Sequence, residues 1–365
     1  MVARTVAAMG EVLSVSIRAG GSHYEALIGA GLLPTLGARL HGLVRGPRCA
    51  VIVDENSGRL FGEAVSASLR AAGFEPSILR VPAGERAKSL EQAGDVCEQM
   101  ATAGLDRSSF VVAVGGGVVG DLAGFAAAIF HRGLPYVQVP TTLLAQVDSS
   151  IGGKTGVNLR AGKNLLGAVH QPVLVLADTE TLVSLPPREL RQGFAEIVKH
   201  GIIADPTLFA FLDNFDRATL PALIRRNIAI KADVVAQDEQ DISGERAILN
   251  FGHTIGHAIE QAGGYREWLH GEAISLGMVA ALSISTRRVG LPEADRRRVL
   301  DVLQKVGLPT ALPKEFQREA IVAALPSDKK FERGQVRFVV TSALGSARLT
   351  SDVSMEDLRV AVAEL

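Results

Sequence analysis

The run SFVVAVGGGVVGDLAGFAAAIF, residues 109–130, sets the tightest limit on what this chain can fold into. A β-branched apolar stretch breaks at three glycines and resumes as an alanine-rich apolar segment too long for a strand. It reads as strand, glycine turn, helix. Similar units stand before it. CAVIVDENS, Cys49–Ser57, has the profile of a buried parallel strand with Asp54 and Asn56 at its carboxyl end. A helix is expected around Leu60–Ala72, a strand in PSILRVP, and a helix in AGERAKSLEQAGDVCEQMATAG. The order β-α-β-α-β predicts an open, mostly parallel sheet, whose ligands sit beyond the carboxyl ends of its strands. Residues Val12–Gly31 read as a strand pair turning at GGSH, and VLVLAD, ending at Asp178, as a last strand.

Beyond that strand the period changes. PPRELRQGFAEIVKHGIIA, PTLFAFLDNF, ATLPALIRRNIAIKADVVAQD and EADRRRVLDVLQKVG are helical in spacing, with one strand pair expected in QVRFVVTSALGSARLT. Pro186–Pro187 marks the expected boundary. The chain divides into a Rossmann-like α/β domain over 1–185 and an all-helical domain over 186–365, with a cleft between them as the default site. The length of 365 residues suits two domains, and 38 glycines suit tight turns and close backbone approach to a ligand. A net charge of −1 gives no electrostatic case for nucleic acid or an anionic membrane. Cys49 and Cys97 offer neither a disulfide framework nor metal spacing, which favours a reducing cytoplasm. The opening residues lack the long apolar run of a secretory signal, and no run reaches the ~18 apolar residues of a membrane span.

Three of the eight histidines fall in LNFGHTIGHAIEQAGGYREWLHGE. His253 and His257, four apart, share a helix face. Gly263 and Gly264 break that helix, and His270 opens the next one. Imidazoles converging from two helices, with a carboxylate, match a catalytic zinc set with an open position; the plainer reading is a hydrogen-bonded pair of partly buried histidines. Gly115, Gly117 and Gly120 fit a G-x-G-x-x-G turn in which backbone N–H groups could face a pyrophosphate, although such turns also serve packing alone. Thr141 and Thr142 read as hydroxyl contacts or as a helix N-cap. The glycine-rich stretch holding Asp148, Lys154, Lys163 and Asn164 reads as a phosphate-binding loop or as a solvated basic one.

Taken together, GGGVVGDLAGFAAAIFHRG, VPTTLLAQVDSSIGGKTGVN, GKNLLGAVHQP, LPPRELRQGFAEIVKHGII, LNFGHTIGHAIE and LHGEAISLGM resemble the 3-dehydroquinate synthase family, within the wider sugar-phosphate cyclases. The resemblance runs from about Asp54 to the strand pair near Val339. It implies bound NAD, a divalent metal (zinc first, cobalt as the alternative), a sugar-phosphate substrate and a homodimer. It assigns Glu196, His253 and His270 to the metal and moves His257 to the substrate's phosphate and proton traffic, unlike spacing alone. His200, one turn after Glu196, is left to packing.

For NAD the matching positions are Asp54, Asn56, Gly84, Glu85, Lys88, Gly117, Val118, Val119, Gly120, Asp121, Thr141, Thr142, Lys154, Lys163 and Thr181, Leu182, Val183, Ser184. For catalysis and substrate they are Asp148, Lys154, Asn164, Lys199, Lys231, Arg246, Asn250, His257 and a lysine of SDKK, Lys329 or Lys330. Arg132 would reach into the partner's site. The DEQDISGERAILN segment is slightly longer than the family's usual form, which bears on the register of Lys231. His170 stands where a larger aromatic residue is common.

The implied reaction takes 3-deoxy-D-arabino-heptulosonate 7-phosphate to 3-dehydroquinate and phosphate. Its stages are transient oxidation by NAD, β-elimination of phosphate, reduction and intramolecular aldol closure. The substrate phosphate can act as base, which suits a site rich in cations. Lys199, three residues after Glu196, is read as a substrate ligand near the metal; the alternative is an i,i+3 ion pair on a solvated face. Competing readings are a related sugar-phosphate cyclase, a metal-dependent alcohol dehydrogenase, for which the lysines would be superfluous, and a catalytically silent nucleotide-binding regulator.

Overall fold

The computed structural model describes residues 11–325, 331–332 and 335–365. These group into two compact units, one of residues up to 185 together with 220–232, the other of 186–219 and 233 onward.

The first unit holds β1 (Leu13–Ala19), β2 (Ser22–Gly29), α1 (Leu36–Leu40), β3 (Arg48–Asp54), α2 (Glu55–Ser57), α3 (Glu63–Ala71), β4 (Glu75–Val81), α4 (Leu90–Thr102), β5 (Phe110–Gly115), α5 (Gly117–Ile129), β6 (Tyr136–Pro140), β7 (Lys154–Leu159), β8 (Gly162–Val169) and β9 (Leu174–Asp178). Seven strands form one sheet in the order β1-β2-β9-β6-β5-β3-β4. Only β1 and β2 pair antiparallel; the other pairs are parallel. Strand periodicity explains the layers. Cys49, Val51 and Val53 of β3 and Phe110, Val112 and Val114 of β5 face α1 and α3, while Ala50, Ile52, Val111 and Ala113 face α4 and α5. Both faces are covered, so these strands read as continuous apolar runs. The chain leaves β3 towards β4 on one side and β5 towards β6 on the other, so the topological switch point lies between β3 and β5.

The stretch expected as a glycine loop is instead an antiparallel hairpin, β7 paired with β8. Its glycines serve strand pairing. Gly156 faces Gly167, and a Cβ on Gly167 would fall 2.1 Å from the Thr155 carbonyl oxygen.

The second unit contains α6 (Pro187–Ile203), α7 (Leu208–Asp213), α9 (His253–Ala262), α10 (His270–Val289), α11 (Glu293–Lys305), α12 (Arg318–Ala324) and α13 (Met355–Ala363). Between α7 and α9, α8 (Leu220–Gln237) is one helix whose first thirteen residues group with the sheet unit. The unit also carries the short pairs β10 (Phe331–Glu332) with β11 (Gln335–Val336), and β12 (Phe338–Thr341) with β13 (Ala347–Thr350).

Proline at the first helical position starts α6, where its missing N–H is no loss. Glycines let three helices close on one another. A Cβ on Gly277 of α10 would lie 2.0 Å from the Gly252 carbonyl oxygen at the start of α9, and one on Gly271 would lie 2.5 Å from Gln192 Cα of α6. Backbone cannot yield as a flexible side chain can, so overpacking here costs about 1–3 kcal/mol. Gly277→Ala should therefore lower the Tm measured by calorimetry. An unchanged Tm would mean that the α9–α10 contact is looser than described.

Candidate active site

α6, α9 and α10 bring Glu196, His253 and His270 together, their ligand atoms all within 4.8 Å of one another. Glu196 Oε1 lies 3.6 Å from His253 Nε2 and 3.7 Å from His270 Nε2. These separations exceed hydrogen bonds. A tetrahedral ion bonded at about 2.0–2.2 Å would hold its ligand atoms roughly 3.3–3.6 Å apart, close to what is seen. Both Glu196 carboxylate oxygens are buried, Oε2 against the Lys199 ammonium and Oε1 with no hydrogen-bond partner. The unpartnered Oε1, facing two imidazole nitrogens, leaves room for a further positive charge. The residues present therefore fit a divalent metal.

The two imidazoles are held from behind. His253 Nδ1 lies 3.1 Å from the Phe251 carbonyl oxygen, and His270 Nδ1 lies 3.2 Å from Glu260 Oε2. Each ring thus turns Nε2 towards Glu196. The first turn of α10 is tied down as well: Glu272 accepts from the Leu269 backbone N–H at 2.9 Å and from Arg188 of α6 at 2.7 and 2.8 Å.

Charge completes the picture. Burial alone would raise the Glu196 carboxyl, but the Lys199 ammonium and the imidazoles hold it well below the usual range. Burial and the Lys199 charge push His253 well below an ordinary histidine. Burial would lower His270 too, but the carboxylates of Glu260 and Glu196 hold it up at about 10. Without an ion the cluster keeps its proton on His270, and binding an ion there displaces it. Lys199 does form the i,i+3 ion pair with Glu196, but on a buried face, with side chains 2% and 1% exposed. Breaking such a buried pair costs about 3–5 kcal/mol, far more than a solvated one.

His257 sits on the same face of α9, its ring 5.3 Å from that of His253 and 6.2 Å from that of His270. His200 is fully buried. Arg246 is buried, its Nη1 donating to the Glu239 carbonyl oxygen at 2.7 Å. Asn250 ends the 3-10 turn Glu245–Asn250 just before α9. The loop carrying Arg246 is organised by Asp238, whose carboxylate accepts backbone N–H groups of Ile242 (2.8 Å), Ser243 (3.3 Å), Gly244 (3.0 Å) and Arg246 (3.4 Å). Lys329 and Lys330 lie outside the described residues.

In the sheet unit, Gly115, Gly116 and Gly117 open α5 at the carboxyl end of β5, beside Asp54 at the end of β3. A Cβ on Gly117 would lie 3.0 Å from Ser149 Oγ, and one on Gly116 would lie 3.1 Å from Thr142 Cγ2. A side chain at either position would crowd these neighbours, so the glycines serve close packing, and the feature that suits an anion is the amino end of α5, which no side chain caps. Val118, Val119, Gly120 and Asp121 form the first turns of α5, with Val119 and Gly120 buried.

Asp54 Oδ1 caps α2, accepting from Ser57 N at 2.7 Å and Ser57 Oγ at 2.9 Å, with Asn56 exposed beside it. Lys88 Nζ donates to Asp121 and to Asn164; burial pushes the Asp121 carboxyl up despite that ammonium. Glu85, after Gly84 (φ 90°), accepts from Asn158 Nδ2 at 2.7 Å, and Asn158 Oδ1 accepts from the Asn164 N–H at 2.9 Å. Lys154 begins β7 exposed, and Lys163 follows the hairpin turn.

Thr141 is buried, and Thr142 Oγ1 accepts from Ala145 N at 3.2 Å, the N-cap alternative. Thr181 Oγ1 donates to the Asp178 carbonyl oxygen at 2.7 Å and Ser184 Oγ to that of Thr181 at 3.0 Å; Leu182 is buried and Val183 is 69% exposed. Lys231 Nζ, from α8, meets Asp148 Oδ1 at 2.9 Å. Arg132 is exposed after α5, in the left-handed region at φ 69°.

Sequence reasoning passed over Glu260, Asp238 and Asn158. Glu260 had a readable signal, since residues 253, 257 and 260 fall at i, i+4 and i+7 on one helix face. The other two act on backbone or on a hairpin that the sequence did not disclose.

Residues 78–192 match the family model for the 3-dehydroquinate synthase N-terminal region, and residues 193–331 that for its C-terminal region. A 3-dehydroquinate synthase of Symbiobacterium thermophilum is 48% identical, covering 93% of this chain and 97% of its own. A 2-deoxy-scyllo-inosose synthase solved with carbaglucose-6-phosphate, NAD+ and Co2+ superposes with TM-score 0.89 at 28% identity, over 96% of this chain and all of its own. A 2-epi-5-epi-valiolone synthase of Streptomyces hygroscopicus, solved with NAD+ and Zn2+, gives TM-score 0.83 at 31% identity over 99% of both chains.

The Asp238 loop makes a pH prediction. Burial alone would raise its carboxyl, but the backbone N–H groups hold it well below the usual range. A depressed folded pKa means that its stabilisation is complete above the unfolded value of about 3.9 and fades as pH falls through the folded one. Asp238→Asn should lower Tm at pH 7, with the gap to the parent narrowing below about pH 4. A gap that widens on acidification would contradict the assignment.

Proposed function

This chain belongs to the 3-dehydroquinate synthase family, and on that premise we propose that it converts 3-deoxy-D-arabino-heptulosonate 7-phosphate to 3-dehydroquinate and phosphate, with NAD and a divalent metal. The observation that carries the metal-dependent part is the convergence of a buried, anionic Glu196 with two Nε2 atoms. Bound NAD supplies a reversible hydride acceptor, and a bound metal supplies a Lewis acid for the alcohol being oxidised. NAD+ and a divalent ion accompany the two synthases described above, Co2+ in one and Zn2+ in the other.

The chain's own residues then have distinct tasks. Glu196, His253 and His270 would hold the metal and leave a coordination position open. The amino end of α5 would receive the pyrophosphate of NAD, with Asp54, Asn56, Lys88, Asp121 and Lys163 holding the remainder. Arg246, Lys154, Lys199, Asn250 and His257 would bind the substrate's phosphate and carboxylate through charge-assisted hydrogen bonds. Lys199 has a second effect, because its ammonium keeps Glu196 ionised in a buried place. The substrate phosphate, oriented by these cations, takes the proton that elimination requires.

Among the described residues no helix is long and apolar enough to cross a membrane. The two cysteines are both free, and with the biosynthetic family this is consistent with a reducing cytoplasmic setting. Family membership suggests a homodimer, in which the exposed Arg132 would be the residue that enters the partner's site.

Phosphate release tests the proposal. The heptulosonate phosphate should release phosphate with catalytic NAD, without net NADH, and a chelator should abolish it. Glu196→Gln should lower kcat/KM roughly 1000-fold, the loss of several kcal/mol of charge stabilisation. Release from sedoheptulose 7-phosphate alone would move the chain to another sugar-phosphate cyclase, and NADH accumulating on simple alcohols would indicate a dehydrogenase.

A further inference from the structure

Glu260 is a buried carboxylate on α9, 4% exposed, on the same helix face as His253 and His257. Its Oε2 lies 3.2 Å from His270 Nδ1, the ring nitrogen turned away from Glu196. We propose that Glu260 is the positioning carboxylate of the metal centre: it accepts the Nδ1–H of His270, fixing the tautomer and the ring orientation that present Nε2 to the ion. The inference rests on the reading of Glu196, His253 and His270 as the metal ligands.

The physical need is specific. An imidazole ligates through one neutral nitrogen, and the partner of the other nitrogen decides which one that is. His253 has the Phe251 carbonyl in that role. His270 stands at the first residue of α10, where the tied-down backbone leaves its ring orientation to side-chain partners, and Glu260 reaches it across the α9–α10 turn. The two partners differ in charge. A carboxylate makes the opposite nitrogen a more basic donor than a carbonyl does, so His270 becomes the stronger imidazole ligand of the two. His257, Glu260 and His270 also lie close enough to suggest a separate ion site. That site and the Glu196 cluster both call on His270, and with Nε2 facing Glu196 its Nδ1 is left to the hydrogen bond with Glu260.

Zinc affinity of the metal-free protein, measured by competition with a chromophoric chelator, tests the assignment without any turnover. Glu260→Ala should raise Kd for zinc about 10–100-fold. Glu260→Gln keeps an acceptor but not the charge, so its loss of zinc affinity should be smaller. In cobalt-loaded protein the visible bands of the Glu260 variants should shift while their intensity, which follows coordination number, stays constant. Glu196→Gln, the control, should lose tight binding altogether. Glu260 variants binding zinc as the parent does, while Glu196→Gln fails, would overturn the positioning role and leave the metal reading intact. Glu260→Gln losing zinc as fully as Glu196→Gln would overturn it by making Glu260 a ligand. Glu196→Gln binding as the parent does would remove the metal reading and this inference with it.

Discussion

A carboxylate buried to 1% exposure must be neutralised, and the helical unit is arranged around that requirement at Glu196. Lys199 supplies one positive charge from the next turn of the same helix. Two imidazole nitrogens face the carboxylate at distances that suit coordination better than hydrogen bonding. For three helices to deliver these groups to one point, their backbones must nearly touch, and Gly271 and Gly277 are what permit it. Packing and site chemistry are therefore a single constraint here. The carboxylates of Glu260 and Glu272 extend it outward, one holding the His270 ring and the other the helix that carries it.

The sheet unit solves a different problem, that of approaching an anionic ligand with backbone. At the switch point between β3 and β5 the chain runs out of side chains: Gly115, Gly116 and Gly117 lead into α5, whose first N–H groups have no partners within the helix. Around that opening the polar groups are tied into one network. Lys88 joins Asp121 to Asn164, and Asn158 joins Glu85 to the backbone of the hairpin. Groups already fixed before a ligand arrives lose little further freedom on binding it.

Much of this was legible in the sequence. Strand and helix alternation gave the mostly parallel sheet, the switch to helical spacing after Asp178 gave the helical region, and the joint motifs gave the family. Histidine spacing alone was a partial guide. It grouped His253 with His257, because residues four apart share a face, but could not show that Glu196 of a distant helix is nearer to the ligating nitrogens. The β7–β8 hairpin was hidden because its glycines imitate a loop while serving close strand pairing. Lys199 was open to reading as a solvated pair, since i,i+3 spacing says nothing about burial. Glu260 and Asp238 escaped because each acts on a neighbour's ring or backbone, and neither leaves a motif.

Anomalous diffraction from crystals of the protein grown with cobalt would test the central claim most directly. The account predicts one strong peak about 2.0–2.2 Å from a Glu196 oxygen and from Nε2 of both His253 and His270. A peak ligated by His257 and Glu260, or none near Glu196, would contradict it.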